Sequence, residues 1–565
     1  MLIPSRAPLF QGKLLQRNIQ RYYSKRDSQG FLGFRTVRTL SCVTALCATA
    51  VTAGFYIGHQ YARLKLPPDA FPLKSVTPLE SLSSPSYCTQ SQLERAVEKL
   101  RGVMGSQNVS STKDDIEYHS QNEFTSHAPL EHERPKYVIY PLSTEEVSQA
   151  VKIINEYNVP IVPFGGGTSL EGNFHSTRPG IVLDTSKMNK ILEVHHDDLD
   201  AVVQAGVNWQ DLNNELESSS LMFGPDCGPN GQVSGMINTN ASGINALRYG
   251  AMVANVISVT VVLADGTVVK TKKRPRKSSA GYNLTGLFVG SEGTLGIVTE
   301  ATVKLQVKPR YETVVVGQFS TIKNAIDTVA QVFRTGIQPH AIEFLDKDFM
   351  HCINYSGFFT KNWFEWPTIF FKIGGINKTV VEEHIKELKA IACTNNCQAF
   401  LFARNEEERE ELFSARKNGF YAMLTYGHRE IDENIRVWVT DIAVPISRLP
   451  TVLQKINDLV KTSGFQSVVL GHLGDGNFHA DLFYKNEEMV QAEKVINKIT
   501  DLGLANEGTC TGEHGVGNTK RSFLMKELGP DTIALMRKIK YALDPKRLLN
   551  PDKIFKIDPN DDRRY

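Results

Sequence analysis

The hydrophobic pattern of the chain begins with a long segment that carries no charged residue. Positions 39–62 contain no Lys, Arg, Asp or Glu, and Leu40 to Ile57 form the apolar centre. About 20 helical residues are needed to cross a bilayer, whereas a helix buried in a protein core is normally amphipathic. The pattern therefore predicts a single transmembrane helix over 39–62. A secretory h-region and a buried core helix are the alternatives.

The pattern changes after a linker rich in Pro and Ser at 66–85. A helix is predicted at about 89–104, and a β-α-β unit begins with the strand Tyr137–Tyr140. Ser143 and Glu146 have the spacing of a capping box, and apolar residues at helical spacing follow them. Further strands are predicted at 160–163, 180–184, 201–205, 256–263 and 268–270. This alternation indicates an α+β protein.

Three turns rich in small residues lie within about 140 residues: 165–169 (GGGTS) directly after a strand, 234–243 (SGMINTNASG), and 289–299 (VGSEGTLGIVT) ahead of another strand. Glycine after a strand allows backbone N–H groups to face an anion, usually a phosphate. A nicotinamide-type G-x-G-x-x-G motif would need Gly where the chain has Leu170, and no Walker A lysine is present. The three turns together favour a long phosphorylated ligand between two subdomains.

Two histidines flank a predicted hairpin turn at Asp475-Gly476. If these two residues form the whole loop, His472 lies directly opposite His479, with Cβ atoms about 5 Å apart. Two imidazoles in that position suit one divalent metal ion. The alternative is a pair of buried histidines that bind no ligand.

The segment 508–517 (GTCTGEHGVG) places Glu513 and His514 between glycines. Glu513 is a candidate third ligand, and two His with one Glu is a catalytic rather than a structural ligand set. Nitrogen and oxygen ligands suit Zn²⁺, Mn²⁺ or Fe²⁺, and the sequence does not select among them. A surface turn is the alternative. The only close cysteine pair, Cys393 and Cys397, has no partner pair nearby and is a weak metal or redox signal.

Charge separates the N-terminus from the rest of the chain. The 565 residues contain 63 Lys and Arg against 61 Asp and Glu, a net charge of +2. Residues 1–38 hold eight of the basic residues and one acid, so the remainder has a net charge of −5. A basic leader poor in acids predicts a mitochondrial presequence, with a disordered basic tail as the alternative. The folded part has no basic excess, which argues against nucleic-acid binding.

The order of the three turns, with Pro225-Asp226-Cys227-Gly228-Pro229 between the first two, resembles the vanillyl-alcohol-oxidase/p-cresol-methylhydroxylase flavoprotein family. This resemblance implies a two-subdomain FAD-binding domain. It also implies non-covalent FAD, because residues 164–170 contain no histidine for covalent attachment. The FAD contacts that it implies are Gly165, Gly166, Gly167, Thr168, Ser169, Ser234, Gly235, Thr239, Ser242, Gly243, Ile297 and Val298.

The second half, with GHLGDGNFH, GEHGVG and Asn550-Pro551-Asp552-Lys553, resembles the FAD-linked 2-hydroxy-acid dehydrogenases of that family, the D-lactate and D-2-hydroxyglutarate branch. The resemblance implies that His472, His479 and Glu513 bind a metal, expected to be Zn²⁺, and that His514 is the catalytic base. Arg416 would bind the substrate carboxylate, although a solvated helix arginine is equally compatible with the sequence. Electron transfer to cytochrome c is implied as well.

The expected organisation is therefore a presequence (1–38), a transmembrane anchor (39–62), a linker with a helix (63–130), an FAD-binding domain (131–310) and a C-terminal substrate- and metal-binding domain (311–565). The last is expected to be an α+β cap with an antiparallel sheet. The expected location is the mitochondrial inner membrane, with the catalytic part in the intermembrane space. D-2-Hydroxyglutarate or glycolate as substrate and a non-redox flavin-dependent transferase remain alternatives.

Overall fold

The computed structural model describes residues 74–122 and 124–563. The predicted presequence, the predicted transmembrane helix at 39–62 and the start of the linker lie outside these residues. Within 74–122 and 124–563, no helix is both long and apolar enough to cross a membrane.

The described residues form an α+β fold. Its helices are α1 (Gln90–Met104), α2 (Lys113–Tyr118), α3 (Thr144–Tyr157), α4 (Trp209–Glu215), α5 (Val233–Thr239), α6 (Ala246–Tyr249), α7 (Met252–Asn255), α8 (Leu284–Phe288), α9 (Ile322–Thr335), α10 (Lys347–Ser356), α11 (Lys378–Thr394), α12 (Glu406–Lys417), α13 (Gly419–Tyr426), α14 (Leu449–Ser463), α15 (Met489–Leu504) and α16 (Arg521–Leu543). The predicted helix at 89–104 is confirmed as α1.

The strands are β1 (Val109–Ser110), β2 (Tyr137–Ile139), β3 (Ile161–Phe164), β4 (Ile181–Asp184), β5 (Ile191–His195), β6 (Asp200–Gln204), β7 (Leu221–Phe223), β8 (Val256–Val262), β9 (Val268–Lys270), β10 (Ile297–Val307), β11 (Tyr311–Phe319), β12 (Ala341–Leu345), β13 (Thr368–Gly375), β14 (Cys397–Phe402), β15 (Arg436–Trp438), β16 (Ile442–Ala443), β17 (Gln466–His472) and β18 (Asn477–Tyr484). The strands predicted before residue 271 are confirmed within one or two residues.

The strands form three sheets in the described part of the chain. The first has the order β1-β2-β4-β3, in which β2, β4 and β3 run parallel. The second has the order β5-β6-β10-β8-β9, with β7 also paired to β10. The third, β14-β11-β13-β12-β17-β18-β15 with β16 on β18, is antiparallel, as expected for the cap.

Local sequence explains where the elements of the β-α-β unit begin. The Ser143 hydroxyl accepts a hydrogen bond from the backbone N–H of Glu146, and the Glu146 carboxylate accepts one from the N–H of Leu142. The Ser143 bond satisfies a donor that the first turn of α3 leaves free, but the predicted capping box is only half formed, because Glu146 bonds to Leu142 and not to the N–H of Ser143. The apolar face of α3 then packs against β2, β3 and β4. The first sheet therefore holds the loop after β3 in a fixed place.

The third sheet lies between two layers of helices. On one face it packs against α9, α11, α14 and α15, and on the other against α10, α12 and α13. Three glutamates in the first turn of α12 and Arg416 with Lys417 in its last turn match the helix dipole. The C-terminal end of α12 therefore lies beside the face of β17 and β18 that carries the two histidines.

The predicted hairpin at Asp475-Gly476 is confirmed, but its predicted register is wrong. His479 pairs with Leu470, not with His472, because a 3-10 turn at Leu473–Asp475 and Gly476 at φ 74° lengthen the loop. His472 instead pairs with Glu343 of β12. A shift of two residues keeps the same side of a strand, so both histidines still share a face, with ring centroids 6.0 Å apart.

The C-terminal segment returns to the first half of the chain. The backbone of Ile161 exchanges hydrogen bonds with Leu548 and Asn550, and Leu548 and Leu549 lie in the core under β2–β4. The buried Asp552 carboxylate accepts hydrogen bonds from Thr177, Arg178 and Arg563 at 2.9–3.0 Å. Residues 544–561 thus pack against the half of the chain that carries the three small-residue turns. The boundary expected at 310/311 stays a prediction.

Asp552→Asn should destabilise the protein by about 3 kcal/mol near neutral pH, because it removes a fully buried carboxylate that pairs with both Arg178 and Arg563 and leaves the two arginines to their outer partners, Asp558 and Asp561. Burial raises the pKa of Asp552, but Arg563 and Arg178 outweigh it and hold the pKa well below the usual range. A lowered folded-state pKa stabilises the fold above the unfolded-state pKa of about 3.9 and loses that stabilisation as the pH falls.

Chemical denaturation of the wild type and of the variant across a pH series measures this difference. The difference should be largest at neutral pH and should narrow below about pH 4. A difference that stays constant with pH would contradict the ion-pair explanation.

Candidate active site

A cavity of about 640 Å³ runs between the first two sheets and the C-terminal sheet. Its volume falls in the range typical of ligand and cofactor sites. Most of the residues predicted for the site line this cavity: Gly165, Gly166, Gly167, Thr168, Ser169, Ser234, Gly235, Thr239, Gly243, Ile297, Val298, Arg416, His472, Glu513 and His514. Ser242 and His479 are not among the lining residues, but both contact Glu513, which lines the cavity.

The turn Gly165–Ser169 follows β3, at the carboxyl end of the parallel strands. Ligands of open α/β sheets bind at this end. The Asn122 side chain donates hydrogen bonds to the carbonyls of Gly167 and Ser169, both at 2.9 Å, and so holds the turn from outside. A Cβ atom on residue 166 would lie 2.0 Å from the carbonyl oxygen of Asn230. Glycine is therefore required where the turn meets the 225–232 segment.

The wall next to this turn is formed by α5 and by the start of β10. A Cβ atom on Gly235 would meet no atom within 4 Å, so the backbone of α5 borders open space. Ile297 and Val298 provide apolar surface next to it. A cradle of bare backbone, hydroxyls and apolar side chains fits a flavin dinucleotide, which needs phosphate contacts at one end and a flat apolar slot at the other.

His472, His479 and Glu513 come together as the sequence predicts. Nε2 of His472 lies 3.1 Å and Nε2 of His479 lies 3.5 Å from Oε1 of Glu513. The three ligand atoms lie within 4.8 Å of one another. Ligands that bind Zn²⁺ at 2.0–2.2 Å in a tetrahedron are separated by about 3.4 Å. The donor set therefore fits a single divalent ion.

The hydrogen bonds around these three side chains leave available the atoms that would bind the metal: Nε2 of each histidine and Oε1 of Glu513. Nδ1 of His479 lies 2.8 Å from the carbonyl of Thr440 and Nδ1 of His472 lies 2.7 Å from a carboxylate oxygen of Glu343. Both acceptors require a proton on Nδ1, which leaves Nε2 as the ligand atom. Oε2 of Glu513 accepts hydrogen bonds from the Ser242 hydroxyl and the Gly243 N–H, so Oε1 faces the histidines. Ser242 thus contacts a predicted metal ligand.

His514 stacks on His479, with ring centroids 5.1 Å apart and planes inclined by 10°. Its Nδ1 lies 3.6 Å from Glu171 and 3.9 Å from Asp441, and it is buried without a hydrogen-bond partner among the described residues. Burial lowers the pKa of His514, but the carboxylates of Asp441 and Glu171 outweigh it and raise the pKa above its usual value. A cation at His479 would oppose that rise, since like charges disfavour the imidazolium form.

Asp441 holds the loop that carries Glu513 and His514. One of its carboxylate oxygens accepts hydrogen bonds from the backbone N–H of both residues, at 2.9 Å each, and from the Thr511 hydroxyl at 2.7 Å. The other accepts from the side-chain amide of Asn477 at 2.8 Å, next to the hairpin turn. The buried Asp441 carboxylate therefore fixes the two candidate functional residues relative to β18.

Arg416 lies in the last turn of α12 and is buried, so the alternative of a solvated helix arginine is wrong. Its Nε and Nη2 lie 2.8 and 2.7 Å from one carboxylate oxygen of Glu343. Arg416 also lines the cavity. Lys417, the next residue, also lines the cavity and is a second cation that the sequence pattern did not locate.

Several residues of the site were not predicted from the sequence. Glu343 is the one charged residue in the buried strand Ala341–Leu345, and that charge within an apolar run was a usable signal. Glu292 accepts hydrogen bonds from the N–H groups of Val516 and Gly517, although its turn was interpreted only as a cofactor contact.

The six cysteines of the described residues, Cys393 and Cys397 included, are free thiols.

Two family models match the chain. Residues 135–272 match the FAD binding domain, and residues 308–554 match the C-terminal domain of the FAD linked oxidases. The fold is similar to that of p-cresol methylhydroxylase, with a TM-score of 0.70 and 18% identity over 85% of this chain and all of that one. An alkyldihydroxyacetonephosphate synthase has a similar fold, with a TM-score of 0.63 and 21% identity over 85% of this chain and 88% of that one.

These matches and the site define a protein of the FAD-linked oxidase class, and the vanillyl-alcohol-oxidase type of fold expected from the sequence is confirmed. Among curated relatives, D-lactate dehydrogenase (cytochrome), mitochondrial, of Kluyveromyces lactis is 46% identical over 92% of this chain and 91% of its own length. D-lactate dehydrogenase (cytochrome) 1, mitochondrial, of Saccharomyces cerevisiae is 48% identical over 87% and 85%. The chain belongs to the family of the mitochondrial D-lactate dehydrogenases (cytochrome).

Asp441→Asn should reduce turnover by about 10²-fold. The asparagine that replaces Asp441 presents an amide N–H group where the carboxylate presented an acceptor oxygen, so hydrogen bonds to the 511–515 loop are lost. The loop can then move by a fraction of an ångström, which displaces Glu513 and His514. Steady-state kinetics on flavin-loaded protein measures the effect.

Asp501→Asn, which removes a surface ion pair with Lys526, is the matched control and should retain wild-type turnover. Wild-type turnover in a folded Asp441→Asn variant would contradict the role given to this carboxylate.

Proposed function

We propose that the chain oxidises D-lactate to pyruvate with non-covalently bound FAD and passes the electrons to cytochrome c. One observation carries this proposal. Arg416, His514 and the cluster of His472, His479 and Glu513 converge on one part of a cavity whose remaining wall is the candidate FAD cradle. The curated relatives that this chain resembles over most of its length carry the name D-lactate dehydrogenase (cytochrome).

The substrate carboxylate would bind the guanidinium of Arg416, whose planar fork matches a carboxylate. Glu343 occupies one side of that fork at 2.7–2.8 Å and leaves the side toward the cavity for the ligand. This contact orients C2 of the substrate and its hydroxyl toward His514. Neutral His514 would accept the hydroxyl proton as the C2–H bond breaks.

FAD, when bound, supplies the acceptor for the hydride that leaves C2, so that the hydroxyl carbon becomes the ketone of pyruvate. A divalent ion held by His472, His479 and Glu513, expected to be Zn²⁺ with Mn²⁺ or Fe²⁺ as alternatives, would supply Lewis-acid stabilisation of the alkoxide. The protein would supply fixed ligands, a buried base and a cavity that limits water.

The cellular setting is part of the same proposal. A presequence at 1–38 and an anchor at 39–62 would place the enzyme at the mitochondrial inner membrane, with the body in the intermembrane space. The names of the curated relatives from two yeasts include the word mitochondrial. Cytochrome c, a one-electron acceptor of that compartment, would reoxidise the flavin in two steps.

Cytochrome c reduction should be rapid with D-lactate and at least tenfold slower with L-lactate, glycolate or D-2-hydroxyglutarate, a difference of about 1.4 kcal/mol in transition-state binding. The absorbance of reduced cytochrome c measures the rates. Because Lys417 gives the cavity a second cation, the dicarboxylate is the most informative competitor. Faster reduction with D-2-hydroxyglutarate than with D-lactate would overturn the substrate assignment.

His514→Gln should retain flavin and lose about 10²–10⁴-fold in kcat, the usual contribution of a general base. Flavin content by absorbance and kcat with D-lactate measure the two effects. His351→Gln changes an exposed histidine paired with Glu365 and serves as the control. Near-normal turnover of a flavin-loaded His514→Gln variant would refute the assignment of the base.

A further inference from the structure

Glu343 connects the two parts of the site that bind different groups. It lies in the middle of β12, opposite His472 of β17, and its side chain is 1% exposed. One carboxylate oxygen accepts a hydrogen bond from Nδ1 of His472 at 2.7 Å, and the other accepts one from Nε of Arg416 at 2.8 Å and lies 2.7 Å from Nη2. A single buried carboxylate therefore contacts a candidate metal ligand and the candidate carboxylate-binding arginine.

We propose that Glu343 is the positioning residue of this site, which sets the ligand nitrogen of His472 and the orientation of the Arg416 guanidinium together. In many proteins a histidine that binds a metal donates its other ring N–H to a carboxylate, which fixes the orientation of the ring. The Glu343 carboxylate is placed to do this for His472. This inference rests on the proposed function and adds a coupling to it. Metal affinity and substrate affinity should both depend on one side chain that touches neither the metal nor the substrate.

The chemistry of the two contacts makes the inference specific. Both partners are donors, so residue 343 must present two acceptors at once. A glutamine has one acceptor oxygen and one amide donor, and the amide would then face either an N–H of His472 or the guanidinium of Arg416. Since a buried donor opposite a donor is unfavourable, one of the two partners must rotate. A residue that only filled space would tolerate this change, because Gln and Glu have the same shape.

The experiment is Glu343→Gln in the full, flavin-loaded protein. Zn²⁺ affinity, measured by competition with a chromophoric chelator and with no substrate present, should fall by about 10–100-fold, the usual effect of losing an outer carboxylate. KM for D-lactate should rise by about tenfold, the value of one hydrogen bond to a charged group. Flavin content and melting temperature show that the variant is folded.

Glu312→Gln is the matched control. Glu312 lies in the same sheet, in β11, and accepts from Nδ1 of His340 at 3.2 Å with Lys372 3.6 Å away, an arrangement of the same kind outside the site. It should leave Zn²⁺ affinity and KM unchanged. If Glu343→Gln does not accumulate as folded protein, Glu343→Asp keeps the charge, retracts the carboxylate by one methylene and should lower Zn²⁺ affinity in the same direction.

The outcomes separate the inference from the proposed function. Wild-type Zn²⁺ affinity and KM in folded Glu343→Gln protein would overturn the inference alone. Loss of Zn²⁺ affinity without a change in KM, or the reverse, would overturn the coupling. A wild-type protein that oxidises D-lactate and binds no Zn²⁺ would overturn the metal assignment, and the inference with it.

Discussion

The arrangement of the candidate site depends on one buried carboxylate, that of Asp441. It accepts the backbone N–H groups of Glu513 and His514, the Thr511 hydroxyl and the Asn477 amide. Burial raises the pKa of Asp441, but His514 and Lys520 outweigh it and hold the pKa well below its usual range, which favours the ionised carboxylate. A buried anion with several fixed donors is strongly favoured over one that has lost a donor. The loop after α15 is therefore held in one conformation against β18.

Buried polar groups also hold the junction between the two halves of the chain. Glu292, from the turn before β10, accepts N–H groups of Val516 and Gly517, and the Asn550 side chain donates to the carbonyls of Glu292 and Asn173. Burial raises the pKa of Glu292 to about 7, so this carboxyl group has less electrostatic compensation than Asp441. Segments distant in sequence are thus joined by polar groups in a buried region. The cavity for cofactor and substrate lies along this junction.

Features that depend on local sequence were predicted well, whereas contacts that depend on loop length or tertiary structure were not. The N-cap of α3 and six of the strands before residue 271 depend on local sequence and were predicted closely, whereas β1, β5 and β7 were not predicted. The faces of His472 and His479 were predicted correctly and their register was not, because the side of a strand survives a two-residue shift whereas the pairing depends on loop length. The charge of Glu343 in an apolar strand was a usable signal that the residue is unusual, but the roles of Glu343 and Asp441 could not be assigned, since their partners lie 129 and 72 residues away in the chain and only tertiary structure brings them together.

The most direct test of the account is anaerobic mixing of the oxidised, flavin-loaded protein with D-lactate while the flavin absorbance is recorded. The account predicts bleaching of the flavin band with formation of one pyruvate per flavin, and much slower bleaching with L-lactate. Turnover of D-lactate without flavin reduction, or equal bleaching by both enantiomers, would contradict it.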